Sequence, residues 1–145
     1  MKCYVWSTML YGCETWSISK VMRDRLEAAE MWLLRRMLRI PWTARMTNEE
    51  VRERAGVKRE VIATIRARQL NFLGHILREN KLEKLTLQGK IEGRRARGRQ
   101  RMKYMDSLLK DNNRINGMRE LMRLVEDRKG WRSMIALVKQ DLAMQ

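Results

Sequence analysis

Residues 58–79, which read KREVIATIRARQLNFLGHILRE, decide the fold. Their apolar side chains recur at steps of three and four residues, the period of an α-helix that packs along one face. The apolar stripe consists of Ile62, Ile65, Phe72, Leu73, Ile76 and Leu77. Gln69 interrupts the stripe, and Arg66 and Arg68 lie beside it. The pattern predicts a long helix that packs through its stripe and carries positive charge on its flank, toward a ligand or simply toward solvent.

Two residues near the end of this helix could suggest chemistry, but simpler interpretations fit them. A glycine inside a helix, here Gly74, more often marks a close approach of two helices than an active site. His75 is the one histidine in the chain, and Cys3 and Cys13 are its two cysteines. A zinc knuckle or a Cys/His nucleophile pair cannot be built from one such cluster. We expect no metal site, and we expect reduced thiols in an intracellular protein.

Toward the N-terminus, residues 20–40 carry a second helical pattern. Its predicted apolar stripe consists of Met22, Leu26, Ala29, Leu33, Met37 and Ile40. Ser19 is a candidate N-cap, and Pro41 should end the helix because it has no N–H and disfavours the α conformation in the residue before it. Trp42 then lies in a short connector.

Short local signals flank this second helix. Thr47 and Glu50 have the spacing of a capping box, and Gly56 is placed to end the two-turn helix that follows. Residues 4–16 mix aromatic and β-branched side chains, so a strand and a buried helix both fit. We expect Trp6 and Trp16 to anchor a core rather than to stack on bases.

Toward the C-terminus, the pattern predicts three more short helices. Their apolar residues are Met102, Met105, Leu108 and Leu109, then Met118, Leu121, Met122 and Val125, then Trp131, Ile135, Val138 and Leu142. Breaks are expected at residues 113–117 and 129–130. The sequence therefore predicts an all-α fold with several short helices in one or two small bundles, joined by a flexible Arg/Gly-rich basic segment.

That basic segment, residues 93–101, reads GRRARGRQR and cannot bury itself in a core. Arginine donates paired hydrogen bonds to phosphate oxygens, and glycine lets the backbone follow a groove closely. A disordered linker and a nuclear-import signal have the same composition. The predicted phosphate-binding residues are Arg66, Arg68, Lys90, Arg94, Arg95, Arg97, Arg99, Arg101 and Lys103.

The overall charge favours a polyanionic partner. The chain has 32 Lys and Arg against 17 Asp and Glu, a net charge of +15 over 145 residues. Nucleic acid is the first candidate for neutralising this surplus, and an acidic membrane surface is the second. No apolar run approaches the roughly 20 residues that a membrane span needs. We divide the chain into segments 1–56, 57–92, 93–101 and 102–145.

Several spaced motifs resemble one family when they are taken in order. They are YGCETW at 11–16, RRMLRI at 35–40 with Trp42, TNEEV at 47–51, LGHILR at 73–78, and GKIEG at 89–93 with the Gly/Arg run. Together they resemble the C-terminal part of non-LTR, LINE-type retrotransposon endonuclease–reverse transcriptases, closest to the RTE/BovB-like and related clades. The resemblance covers roughly residues 4–106. Family members often have Gly-Arg-Pro-Arg where this chain has Gly98-Arg99-Gln100-Arg101.

The resemblance implies a thumb-like segment at 1–56 and a region beyond the thumb. It implies a grip on template RNA and primer duplex during target-primed reverse transcription, without the catalytic palm. Magnesium would be needed only in that palm, so we expect no cofactor here. The expected partners are RNA, DNA or their hybrid and no membrane, and the expected location is the nucleus and the cytoplasm. The abrupt apolar start also suggests the C-terminal part of something longer.

The alternatives are an enzyme and an interaction module. Tyr104-Met105-Asp106-Ser107 resembles the Tyr-X-Asp-Asp signature of polymerases, but Ser107 replaces the second carboxylate and the surrounding pattern is helical. A ligand set that is short of one carboxylate cannot position two metal ions. We therefore expect no catalysis by this chain. A stand-alone basic helical protein that binds nucleic acid, or an acidic protein or lipid, remains the alternative.

Overall fold

The computed structural model describes residues 2–79, 81–88, 97, 104–110, 115 and 117–144. Within these residues the chain forms α-helices and no strand, so the all-α prediction is confirmed. The helices are α1 (Ser7–Met9), α2 (Lys20–Met37), α3 (Asn48–Ala55), α4 (Val61–Arg78), α5 (Leu82–Gln88), α6 (Tyr104–Lys110), α7 (Met118–Glu126) and α8 (Arg128–Met144). A π-helical turn spans Lys2–Trp6, and 3₁₀ turns span Cys13–Thr15 and Trp42–Ala44.

Helix α4 lies at the centre of the fold, and it forms where the pattern of residues 58–79 predicts a long helix. It starts at Val61 and ends at Arg78. Ile62, Ile65, Leu73 and Leu77 of the predicted stripe are buried, but Phe72 is 37% exposed. The stripe alone understates the burial of this helix. Different neighbours pack on several of its sides, so a further set is also buried: Val61, Ala63, Arg66, Gln69, Leu70 and Gly74.

The N-terminal half of α4 packs on the start of the chain. Val61, Ile62 and Ile65 form one apolar cluster with residues of the N-terminal turns, namely Trp6, Leu10, Cys13 and Ile18. Trp16 packs against the edge of this cluster. Trp6 is therefore a core residue, as expected, and Trp16 is half-buried against the core. The ambiguous segment 4–16 forms helical turns rather than a strand.

The C-terminal half of α4 packs on α6, α7 and α8, and Gly74 makes the closest approach possible. A Cβ atom on Gly74 would collide with the indole ring of Trp131. Trp131 is buried, and its Nε1 donates to the carbonyl oxygen of Leu70 (3.2 Å). The interpretation of Gly74 as a mark of close helix packing is confirmed.

Helix α2 shows the largest departure from the predicted pattern. Ser19 caps it, with the Met22 N–H donating to Ser19 Oγ (3.3 Å), but the buried residues are Glu30, Met31 and Leu34. Met22 and Met37 of the predicted stripe are 46% and 57% exposed. The predicted face was wrong by about one residue, because Glu30, a charged residue that the predicted stripe leaves out, lies on the buried side together with Met31 and Leu34.

The side chain of Glu30 is buried because it accepts a hydrogen bond from a backbone N–H group of another helix. Its Oε1 accepts a hydrogen bond from the Val61 N–H (3.2 Å), one of the amides that the first turn of α4 leaves without a helical partner. Burial raises the pKa of the Glu30 carboxyl above its ordinary value, and the backbone hydrogen bonds and Arg52 oppose that rise. Helix α2 is thus joined to α4 through a polar contact.

Two further local predictions can be compared with the structure. The capping box is present: the Thr47 N–H donates to Glu50 Oε2 (2.7 Å), and the Glu50 N–H donates to Thr47 Oγ1 (3.3 Å). The predicted break at 129–130 is wrong, because Gly130 lies inside α8 and the interruption falls at Asp127. In the described part of the chain, no helix combines the length and the apolar character that crossing a membrane requires.

Candidate nucleic-acid interface

The structure describes only part of the predicted phosphate-binding set. Arg97, in the Gly/Arg segment, is exposed. The remaining predicted residues outside α4 lie beyond the described part of the chain, namely Lys90, Arg94, Arg95, Arg99, Arg101 and Lys103. Their role stays a prediction.

Arg66 lies in the interior, and the expectation that it points toward a ligand is wrong. It is 2% exposed. Its Nη1 donates to Gln69 Oε1 (2.8 Å), and its Nη2 donates to Ser107 Oγ (3.3 Å). Periodicity could not reveal this position, because the sequence does not show that α6 packs on the side of α4 that Arg66 occupies. A phosphate could contact this guanidinium only if the core opened.

Gln69 extends the Arg66 contacts into a buried polar network. Its Nε2 donates to the carbonyl oxygens of Cys13 (3.0 Å) and Trp16 (2.8 Å). The network thereby ties the N-terminal segment, α4 and α6 together. Buried polar groups are costly to leave unpaired, so these hydrogen bonds specify how three separate parts of the chain meet. The role of Arg66 is structural.

Arg68 is half-buried and also serves the fold. Its Nη1 donates to the carbonyl oxygen of Leu10 (3.2 Å). The two predicted α4 arginines therefore do not form a surface patch together: one is enclosed, and the other is bound to the N-terminal segment.

A different basic surface lies where α2 ends, and sequence reasoning missed it. We call it the arginine–tryptophan groove. Two adjoining depressions share Arg35 and Trp42, and the larger members of their lining are Trp32, Arg35, Arg36, Arg39, Trp42 and Arg45. Among the described residues, no carboxylate lines either depression. Trp42 is 95% exposed and Trp32 is 60% exposed. The groove therefore presents guanidinium groups and indole rings side by side.

The end of α2 builds the floor of this groove. The Ile40 N–H donates to the Arg35 carbonyl oxygen (2.9 Å), and the Arg39 N–H donates to the Arg36 carbonyl oxygen (3.2 Å). This pair of hydrogen bonds is the Schellman motif, in which the residue after the helix cap adopts a left-handed conformation and is usually glycine. Here that residue is Arg39, with φ of 52°. The groove keeps an arginine where the backbone favours glycine.

The other side of the groove is fixed by a second left-handed residue and by Arg35. Arg45 ends the 3₁₀ turn with φ of 46°. The Nη2 of Arg35 donates to the carbonyl oxygen of Met46 (3.0 Å) and to Asn48 Oδ1 (2.9 Å), which binds the loop back to α2 and to the start of α3. Arg35 positions the loop, whereas Arg36, Arg39 and Arg45 are exposed and available to an anion.

Trp32 is already engaged by a cation. The guanidinium carbon of Arg36 lies 5.6 Å from the centroid of the Trp32 ring, which is cation–π geometry. This contact orients Arg36 along the groove. Trp42, which lines the same depression, leaves its ring in solvent.

A smaller basic cluster lies at the end of α4. Arg78 Nη1 donates to the Val125 carbonyl oxygen (3.2 Å). Burial, together with the nearby charges of Arg128 and Arg132, holds the pKa of Arg78 below its ordinary value. A partner anion would relieve this repulsion. Unlike the groove, the cluster of Arg78, Arg128 and Arg132 includes no aromatic side chain.

The residues whose sequence patterns suggest chemistry can be placed individually in the described part of the chain. That part contains no group of three or more His, Cys, Asp or Glu side chains that could hold a metal ion. His75 is exposed, and its Nε2 lies 3.3 Å from Glu79 Oε1 on the same helix. The Tyr-X-Asp-Ser sequence lies in helix α6, as expected from its pattern, and not in a hairpin. The Tyr104 hydroxyl donates to the Glu14 carbonyl oxygen (2.6 Å), and burial raises the pKa of Tyr104 to about 12.

One sequence signal could have pointed to the groove. Between residues 32 and 45, tryptophan and arginine recur at steps of one or three residues: Trp32, Arg35, Arg36, Arg39, Trp42, Arg45. Basic side chains interleaved with aromatic ones are typical of surfaces that bind single-stranded nucleic acid. Pro41 also separates Trp42 from the helical pattern of residues 20–40. No protein-family model, curated protein or solved structure matches the chain.

Proposed function

We propose that this chain is a non-catalytic nucleic-acid-binding module, the C-terminal part of a non-LTR retrotransposon reverse transcriptase. In this role it grips template RNA and primer duplex through phosphate contacts during target-primed reverse transcription. The motif resemblance supports the family assignment. The net charge of +15 supports a polyanionic partner.

One observation carries the binding function: no carboxylate of the described residues lies in the lining of the arginine–tryptophan groove. Elsewhere on the described surface, acidic and basic side chains meet, as in the Glu49 pairs with Arg52 (3.7 Å) and Arg59 (3.8 Å). A surface with three exposed arginines and no acidic neighbour in its lining has a net positive potential that a phosphate backbone can neutralise. The arginines of the Gly/Arg segment are a second predicted set of phosphate contacts, independent of the groove.

The test is a titration against labelled single-stranded RNA, duplex DNA and RNA–DNA hybrid at two salt concentrations. Affinity should fall with salt, with a log–log slope of about 0.9 for each duplex phosphate neutralised. A triple variant, Arg36→Gln, Arg39→Gln and Arg45→Gln, should lose affinity and lower the slope. A second variant, with residues Arg94, Arg95, Arg97, Arg99 and Arg101 changed to Gln, tests the Gly/Arg segment separately.

A matched control shows whether a loss of affinity comes from the lower net charge or from the loss of the groove arginines. Arg119, Arg123 and Lys139 are exposed on α7 and α8, outside the groove. Changing these three residues to Gln removes the same charge as the groove variant. If the control loses as much affinity as the groove variant, binding depends on net charge and not on the groove. An affinity of the parent chain that does not depend on salt contradicts the proposal.

A further inference from the structure

Trp42 is exposed at a cost that the fold could have avoided. Complete burial of a large apolar side chain stabilises a protein by about 1.5–3 kcal/mol, and this chain buries Trp6 and Trp131 almost completely. Trp42 is 95% exposed, although it follows a proline in a short turn where a polar residue would suffice. Trp32, which is 60% exposed, lines the same depression, so two exposed indole rings share one surface beside arginine side chains. A shared apolar patch of this kind, unlike a single exposed residue, is typical of a binding surface.

The turn that carries Trp42 is held at both ends. On one side, the hydrogen bonds from Ile40 and Arg39 close the end of α2. On the other side, Arg35 holds the Met46 carbonyl oxygen, and the capping box begins α3 one residue later. The indole ring is therefore presented from a fixed loop. A fixed loop loses less conformational entropy when a ligand binds.

The chemistry around Trp42 matches a nucleotide in particular. A base offers a flat π-face that stacks on an indole ring, and the phosphate on either side of it offers an anion to a guanidinium. Arg39 and Arg45, which flank the turn, line the depressions that Trp42 also lines. Bases of a duplex are stacked on one another, so only unpaired bases can offer their faces to a protein side chain.

We propose that the arginine–tryptophan groove binds a single strand of nucleic acid, with an unpaired base stacked on Trp42 and the adjacent phosphates bound by Arg36, Arg39 and Arg45. This inference rests on the proposed function and adds a preference for single strands over duplexes at this surface. Trp32, covered on one side by Arg36, extends the platform toward α2. The stacking contact does not depend on base identity, so the groove reads no sequence.

The experiment compares the parent chain with Trp42→Ala, using a 12-nucleotide oligouridylate, the equivalent oligothymidylate and a 12-base-pair duplex at one salt concentration. Trp42→Ala should weaken single-strand binding roughly 5- to 100-fold, the range for loss of one stacking contact. Duplex affinity and the salt slope should stay as in the parent. The relative affinity of the parent chain for the two oligonucleotides shows whether the groove prefers the RNA or the DNA strand. Trp42→Phe, which keeps an aromatic face, should retain most of the single-strand affinity.

Tyr11→Ala is the matched control, because Tyr11 is 85% exposed and lies in the N-terminal segment, outside the groove. It should change neither affinity. Thermal unfolding of Trp42→Ala should match the parent, since almost none of this side chain is buried. Binding of the parent and the variant to vesicles with anionic headgroups completes the set.

The outcomes separate this inference from the proposed function. If Trp42→Ala binds single strands as the parent does, while the parent still binds nucleic acid in a salt-dependent way, the stacking inference is overturned and the proposed function stands. An equal loss for duplex and single strand also overturns it, because Trp42 then acts without recognising unpaired bases. A loss confined to vesicles assigns the groove to a lipid surface instead. If the parent binds no nucleic acid, both proposals fail.

Discussion

Arginines occupy two contrasting environments in this protein. In the packed body around α4, Arg66 is enclosed, and its guanidinium serves Gln69 and Ser107. At the end of α2, Arg36 and Arg39 lie in solvent beside exposed indole rings. Arginine thus has two roles in this protein: it forms hydrogen bonds inside the core, and it presents positive charge on the surface. The sequence around an arginine does not show whether its side chain is buried or exposed. The packing of the helices around it does.

The contrast makes Arg66→Met the substitution with the largest expected effect. Methionine fits the volume of the aliphatic stem but leaves Gln69 Oε1 and Ser107 Oγ without their donor. Each buried group left unpaired costs about 1–3 kcal/mol. We expect the free energy of unfolding, measured by urea denaturation, to fall by about 2–4 kcal/mol. Below the denaturation range, the salt slope of nucleic-acid binding should remain as in the parent.

Arg68→Met is the matched control on the same helix. Arg68 is half-buried, so it is closer to solvent than Arg66 is, and it donates to the Leu10 carbonyl oxygen (3.2 Å) and also interacts with Cys13. Its loss should cost about 1 kcal/mol or less. If the Arg66 variant keeps its stability but loses nucleic-acid binding, the structural role of Arg66 is contradicted. This arginine would then belong to the binding interface.

The second prediction concerns the two helix ends that share one backbone motif. Helix α3 ends with Gly56 at φ of 63°, and the Gly56 and Val57 N–H groups donate to the carbonyl oxygens of Glu53 (3.0 Å) and Arg52 (3.1 Å). Helix α2 makes the equivalent pair of hydrogen bonds with Arg39 in the left-handed position. A left-handed conformation costs a residue with a Cβ atom about 1–2 kcal/mol.

Arg39→Gly should therefore stabilise the protein while it weakens binding. We expect a gain of about 1 kcal/mol in the free energy of unfolding, offset in part by the freedom that glycine adds to the unfolded chain. Arg39→Gln is the matched variant: it removes the same charge, but it keeps the strained backbone and so brings no gain in stability. Both variants should lose the same phosphate contact. If Arg39→Gly is less stable than the parent, Arg39 is retained for packing and not for its charge.

The sequence predicted the packed body better than the groove, and the reasons are physical. Local signals such as the Thr47 and Glu50 capping box depend on neighbours within four residues, so the sequence contains them completely. The burial of Arg66 and Glu30 depends on which distant helix packs beside them, and one-dimensional periodicity carries no such information. The exposure of Trp42 was hidden for a related reason: tryptophan is expected inside, so a tryptophan on the surface needs the three-dimensional structure to be seen.

The smallest effect we expect is a pH-dependent one at Glu30, on the helix that connects the two environments. Burial raises the pKa of this carboxyl in the folded state, so the folded protein holds a proton there that the unfolded chain releases. The contribution of Glu30 to stability is complete below its unfolded pKa and is lost as pH rises through the folded value. Glu30→Gln cannot titrate and keeps an oxygen acceptor for the Val61 N–H.

Glu30→Gln should therefore gain stability relative to the parent as pH rises from about 4.5 to 7. Thermal unfolding of both proteins at the two pH values measures the difference. The charges that face Glu30 are Arg52 from α3 and Glu60 before α4, and both remain in the variant, so their titration cancels in the comparison. Because the acceptor and the volume are retained, the effect should be smaller than that of Arg66→Met. If the stability of Glu30→Gln instead falls relative to the parent as pH rises, the folded state holds Glu30 ionised. The attraction of Arg52 would then outweigh the cost of burying the charge.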